Sequence, residues 1–159
     1  MVKNALNPLL APLRSLLWWR VKAKIRQRFP TVSAISTATL ANWLEQQPQP
    51  LLLDVRRPEE FEVSHLPGAR LAPDLATALT HSPEANQPVV VYCSVGYRSA
   101  RLAAQLQETY GAPVYNLEGS IFQWFNEGRP VVQHEQPVER VHPYNKFWSL
   151  LLAPSGSEP

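Results

Sequence analysis

The chain has 159 residues, 45% of them hydrophobic and 18% charged, which suits one domain with a buried core and additional segments at its ends. Its single cysteine, Cys93, excludes an internal disulfide and a cysteine-rich zinc site, and points to a reducing, cytoplasmic compartment. The net charge of +2 hides an asymmetry: seven basic residues (Lys3, Arg14, Arg20, Lys22, Lys24, Arg26, Arg28) precede the first acid, Glu45, after which eight basic residues face thirteen acidic ones.

Residues 1–30 read as a basic amphipathic arm. Its apolar stretch is interrupted by Pro12 and Arg14 and is too short to span a bilayer. On a helical projection Leu10, Leu17, Val21, Ile25 and Phe29 share one side, flanked by Arg20, Lys22, Lys24 and Arg26, with Arg28 intruding. Trp18 and Trp19 beside cations suit a helix lying in a membrane interface. Residues 9–29 therefore carry three readings: a peripheral membrane contact, a helix packed on this domain or a partner, and an organelle-targeting segment.

From Thr31 onward short apolar runs alternate with helical patterns, which predicts an α/β domain with a parallel sheet. Thr31–Ile35 reads as a strand, followed by a helix capped by Ser36 or Thr37, carrying Leu40, Trp43 and Leu44, and stopped by Pro48 and Pro50. Leu51–Val55 is a buried strand. Pro58–Phe61 opens a short helix with proline in the first turn and acids at its positive end. His65-Leu66-Pro67-Gly68-Ala69 turns into a strand at 69–71, and Asp74 caps a helix over Leu75–Leu79. Val89–Tyr92 is the next strand, then a helix over 99–109, a strand over Pro113–Asn116, and a helix over Ser120–Asn126 that Gly128 and Pro130 end.

Cys93 leaves the strand Val89–Tyr92 and opens the loop Cys93-Ser94-Val95-Gly96-Tyr97-Arg98-Ser99, just before a helix. Loop amides, the first helical turn and the helix dipole together form an anion cradle, which lowers a thiol pKa without a histidine base. The competing reading is an inert core cysteine, since free cysteine is among the most buried residue types. Cys93 and Asp54 both stand at carboxyl ends of strands, where open parallel sheets bind ligands. No second cysteine exists to resolve a product on Cys93, so an external partner must remove it.

Over residues 31–132 the chain resembles the rhodanese-like (sulfurtransferase) domain family. The resemblance rests on Leu52-Leu53-Asp54-Val55-Arg56 with Pro58-Glu59-Glu60-Phe61, on His65-Leu66-Pro67-Gly68-Ala69, on Val89–Cys93 with Gly96, Arg98 and Ser99, and on Leu117-Glu118-Gly119 with Trp124, Gly128, Pro130 and Val131. It implies a five-stranded, mostly parallel sheet flanked by helices, and a cysteine that carries a persulfide. One departure is Ser120, where the family usually has a second glycine. Only four residues separate Cys93 from Arg98, against five in related phosphatases and arsenate reductases, so the smaller ring suits a sulfane sulfur better than a tetrahedral phosphate.

On this reading Cys93 is the nucleophile, with loop amides from Ser94 to Ser99 holding the persulfide anion. Gly96 supplies a positive φ or a close backbone approach. Arg98 attracts the anionic donor or forms an ion pair at the helix start; Ser99 caps the helix, and Tyr97 stands at the loop tip. Asp54 orders the cysteine loop by accepting amide bonds, and Arg56 widens the positive rim or pairs with Glu59 or Glu60. The expected partners are a small thiosulfate-like donor and an external thiol, cyanide or sulfur-acceptor protein. A non-catalytic binding module is the alternative. His81, His134 and His142 lack metal-ligand spacing and no Gly-rich nucleotide loop occurs, so neither metal, cofactor nor nucleic acid is expected. The segment 133–159 reads as an aromatic tail (Tyr144, Phe147, Trp148) that packs with the basic arm, over the domain or against a membrane.

Overall fold

The computed structural model describes residues 11–153. Five strands, β1 (Ser33–Ile35), β2 (Leu51–Asp54), β3 (Arg70–Leu71), β4 (Val89–Tyr92) and β5 (Val114–Leu117), form one sheet in the order β1-β5-β4-β2-β3. Every pairing in it is parallel. The central strand β4 is buried along its whole length, which explains its unbroken Val89-Val90-Val91-Tyr92 run in place of an alternating pattern.

Strand pleating sends successive side chains to opposite faces. Val89, Val91 and Cys93 pack with Leu51, Leu53, Leu102, Ala103 and Leu106 on one face. That side is covered by α4 (Leu75–Leu79) and α5 (Tyr97–Gln107). Val90 and Tyr92 pack on the other with Leu40 of α2 (Thr37–Leu44) and with Ile121, Phe122 and Trp124 of α6 (Ser120–Asn126). The short α3 (Pro58–Val63) follows β2.

Two elements frame this domain. The arm forms α1 (Ala11–Arg28), and its stripe Leu17, Val21, Ile25 and Phe29 is buried or half-buried while Leu13, Leu16 and Trp19 face outward. The packed reading of that stripe is the one realised; Leu10 lies outside the described residues. Residues 131–138, which straddle the expected boundary between domain and tail, form the antiparallel hairpin β6 (Val131–Gln133) and β7 (Gln136–Val138), bridged to His65 through Val132. The chain then runs to a short 3-10 helix, Trp148–Leu151. Leu151 is buried, and its carbonyl accepts hydrogen bonds from Trp18 Nε1 (3.3 Å) and Asn126 Nδ2 (2.7 Å), so tail and arm pack together on the domain.

Candidate active site

Cys93 emerges from the carboxyl end of β4 between its neighbours β5 and β2. Its own N–H donates to Ser120 Oγ (3.1 Å), and its carbonyl and that of Ser94 accept the N–H groups of Ile121 and Phe122 at the start of α6. The thiol is thus pinned through its backbone. Its side chain turns toward α5, where the Gly96 N–H points at Sγ from 3.1 Å and Ser99 Oγ lies 3.5 Å away. Gly96 reaches this geometry with φ of +114°, a conformation that L side chains rarely adopt.

Asn116 locks the loop from the adjacent strand. Its Nδ2 donates to the Gly96 carbonyl (3.0 Å), and its Oδ1 accepts from Ser99 Oγ (2.7 Å). Ser99 has one hydroxyl proton, and the shorter bond takes it, so in this arrangement the Gly96 amide is the closer donor to sulfur.

Burial pushes the Cys93 thiol up, but the Arg98 charge and the backbone amides of Ser99 and Gly96 outweigh it and hold the pKa below its ordinary value. Cys93 is 1% exposed yet forms the floor of an open pocket, so burial and access coexist.

Arg98 is an ion-paired residue. Its Nη1 and Nη2 each reach one oxygen of Glu60 at 2.8 Å, and Nη2 also donates to Ser94 Oγ (2.9 Å). Glu60 is buried; burial raises its pKa, but hydrogen bonds from Arg98 and the Arg57 amide lower it to about 2. Ser94 therefore orients Arg98 and Glu60, its hydroxyl donating to Glu60 Oε1 (3.2 Å). Tyr97 opens α5, so Gly96 and not Ser99 stands at the helix cap and Ser99 lies within the first turn; Tyr97 meets Phe29 of the arm edge-on at 5.3 Å. Val95 is buried in the core and lines the pocket.

Asp54 and Arg56 depart from expectation. Asp54 accepts from the Arg56 amide (3.0 Å) and from Nε and Nη2 of the same residue, and no loop amide donates to it. Both side chains are fully buried, and Arg56 Nη2 also donates to the Ser64 carbonyl (2.6 Å). Arg56 thus neither widens the rim nor pairs with Glu59 or Glu60. Burial would lower the Arg56 pKa, but the Asp54 charge holds it raised and protonated. The physical reason is topological: β2 ends behind the loop, where an internal pair ties it to residue 64. His65 stacks on Phe61 at 3.9 Å, a structural placement.

Glu60, Asn116, Ser120, Tyr144 and Trp148 were not singled out as site residues from sequence. Glu60 and Ser120 sat inside quoted motifs, and Tyr144 and Trp148 inside the aromatic tail, but each partnership spans from 17 to more than 30 residues of chain.

A five-stranded parallel sheet bearing one loop cysteine, with a backbone amide aimed at its sulfur, defines a small α/β domain with a candidate nucleophile at the carboxyl end of its central strand. The rhodanese-like domain family matches residues 36–127, well over half the chain, and the protein belongs to that family. It is 34% identical over 107 residues to a sulfurtransferase of Allochromatium vinosum, covering 65% of this chain and 98% of that one. It is 30% identical over 102 residues to the probable adenylyltransferase/sulfurtransferase MoeZ of Mycobacterium tuberculosis, covering 62% of this chain but 26% of that protein. It thus spans about a quarter of that relative's length. Among solved structures it is similar to the polysulfide-sulfur transferase homodimer of Wolinella succinogenes, with a TM-score of 0.58 and 26% identity over 72% of this chain and 88% of that one. A rhodanese-like domain protein of Staphylococcus aureus aligns with a TM-score of 0.55 and 27% identity, over 65% of this chain and 100% of that one. The single buried cysteine fits the persulfide site of such a sulfurtransferase.

No helix among the described residues is long and apolar enough to cross a membrane.

Proposed function

We propose that this protein is a sulfurtransferase that carries sulfur as a Cys93 persulfide between a thiosulfate-like donor and an external thiol, cyanide or protein acceptor. The Cys93 thiolate attacks the outer sulfur of the donor, the S–S bond of thiosulfate breaks, and sulfite leaves with the electron pair. Cys93 is left as Cys93-S-S⁻, with total charge conserved. An acceptor thiolate then attacks the terminal sulfur and regenerates the Cys93 thiolate, a ping-pong cycle. The observation carrying this reading is the Gly96 N–H aimed at Sγ from 3.1 Å, with Arg98 held nearby in a fixed orientation. Both favour negative charge on sulfur before and after it takes up a second sulfur atom. Ser94 and Glu60 position Arg98, Ser99 and Asn116 shape the loop, and Asp54 with Arg56 supports the strand end beneath it.

The test is to incubate the full chain with thiosulfate and weigh it intact. A mass gain of one sulfur atom, absent from Cys93→Ser and removed by cyanide, is the expected result. No gain with thiosulfate, polysulfide or a persulfide donor would favour the binding-module reading.

We further propose that the outward face of α1 meets an anionic lipid surface. Leu13, Leu16 and Trp19 are half exposed or more, and Arg20, Lys24 and Arg28 follow them toward the carboxyl end of the helix. Apolar side chains beside cations suit the headgroup boundary. Pelleting with anionic vesicles at low salt, weakened by high salt and by replacing those three apolar residues with serine, is expected; equal recovery in the supernatant would end the proposal.

A further inference from the structure

The pocket over Cys93 is walled by the tail, which lies outside the residues matched to the family. Tyr144 and Trp148 join Cys93, Tyr97 and Arg98 around a space of about 150 Å³. The Arg98 guanidinium lies 4.8 Å from the centre of the Tyr144 ring, a cation–π contact. Tyr144 is set by its own N–H, which donates to His142 Nδ1 (3.0 Å), and Trp148 by an N–H bond to Asn145 Oδ1 (3.0 Å). Buried Leu151 and its bonds to Trp18 and Asn126 anchor the segment behind them. The aromatic wall is part of the folded pocket.

Two kinds of chemistry therefore meet within one space. The floor favours an anionic sulfur, through the Gly96 amide and the Arg98 charge. The wall offers ring carbon, to which the fully polar thiosulfate ion has nothing apolar to present. A cavity of about this volume holds a benzene ring when its lining is apolar. We propose that the pocket selects a donor whose anionic sulfur end is borne on a flat apolar body, of the aryl thiosulfonate class, with Tyr144 and Trp148 as specificity-determining residues. This rests on Cys93 being the sulfur carrier. In the step itself the Cys93 thiolate attacks the outer sulfur of the aryl thiosulfonate. The sulfur–sulfur bond breaks, the arylsulfinate leaves with the electron pair, and the Cys93 persulfide anion remains.

The experiment compares benzenethiosulfonate with thiosulfate on the full chain, reading the ratio of kcat/KM for the two donors. The ratio favours the aryl donor in the parent protein and falls about tenfold in Trp148→Ala and in Tyr144→Leu, as expected for loss of aromatic contact. Trp148→Phe, which keeps a ring, retains most of the preference, separating the role from a folding defect. An unchanged ratio in both truncations overturns the proposal. Titration with benzenesulfonate, an unreactive aryl anion, reads the pocket without sulfur transfer. Saturable binding that weakens in Trp148→Ala supports it, and no binding to the parent protein overturns it even if thiosulfate loads Cys93. If benzenesulfonate binds but no donor loads Cys93, the carrier reading fails while the aryl-anion site stands.

Discussion

Arg98 and Glu60 meet as a two-pronged pair, each guanidinium nitrogen 2.8 Å from a carboxylate oxygen, on the rim of the pocket that holds Cys93. The cation is therefore spent twice: it neutralises a buried carboxylate and biases a thiol toward its ionised form. A planar fork can do this and a lysine ammonium cannot, because only the fork meets both oxygens at once.

Replacing Arg98 with Met should destabilise the fold by about 2–3 kcal/mol, below the usual cost of breaking a fully buried pair because Arg98 is partly exposed. Sulfur loading of Cys93 should slow as well. Arg98→Lys should keep part of the charge effect but lose the second hydrogen bond. Urea unfolding and single-turnover loading, measured on the same samples, separate the two consequences.

Glu60 predicts an acid dependence. Its folded pKa of about 2 lies below the ordinary 4.5, so its contribution is fully present above about pH 4.5 and is lost as pH falls toward 2. The full contribution is about 3 kcal/mol. Unfolding free energies at a series of pH values should show that slope, and Glu60→Gln should flatten it.

The lowered thiol predicts a second profile. Cys93 should react with iodoacetamide with a midpoint below that of a free thiol, and Arg98→Met should move the midpoint upward. A midpoint identical in the two proteins would remove Arg98 from the ionisation of Cys93.

Ser120 stands in the left-handed region with φ of +49°, and its hydroxyl accepts the Cys93 N–H while donating to the Leu117 carbonyl. Ser120→Ala keeps the backbone strain and strands a buried N–H, a loss of about 1–3 kcal/mol. Ser120→Gly relieves the strain, so its net loss should be smaller by about 1 kcal/mol. The order of thermal midpoints, parent above Gly above Ala, checks this.

Asp54→Ala leaves Arg56 charged, buried and without its carboxylate, and should cost about 3–5 kcal/mol. The double replacement of Asp54 and Arg56 by apolar residues should recover much of that loss. Chemical denaturation of both variants measures the difference.

Local patterning sufficed where an element declares itself within a few residues. The runs Val89–Tyr92 and Leu51–Asp54, the Asp74 cap on Leu75–Leu79 and the helix Ser120–Asn126 could all be read directly, because burial and capping follow short-range spacing. The placement of Cys93 between a buried strand and a helix was legible for the same reason. The hairpin at 131–138 was not, because it turns through His134 and Glu135, both at positive φ, with no glycine or asparagine there to mark the turn.

Composition and motif order alone determined a parallel α/β domain, a lone thiol in an amide cradle and a basic arm. Tertiary structure decided how Arg98 is used, why Asp54 and Arg56 turn inward, and that aromatic rings from the tail stand over the thiol. Arg98 meets Glu60 and Tyr144 only because the folded topology brings distant segments together, and Arg56, though two residues from Asp54 in sequence, is held inward by the Ser64 carbonyl.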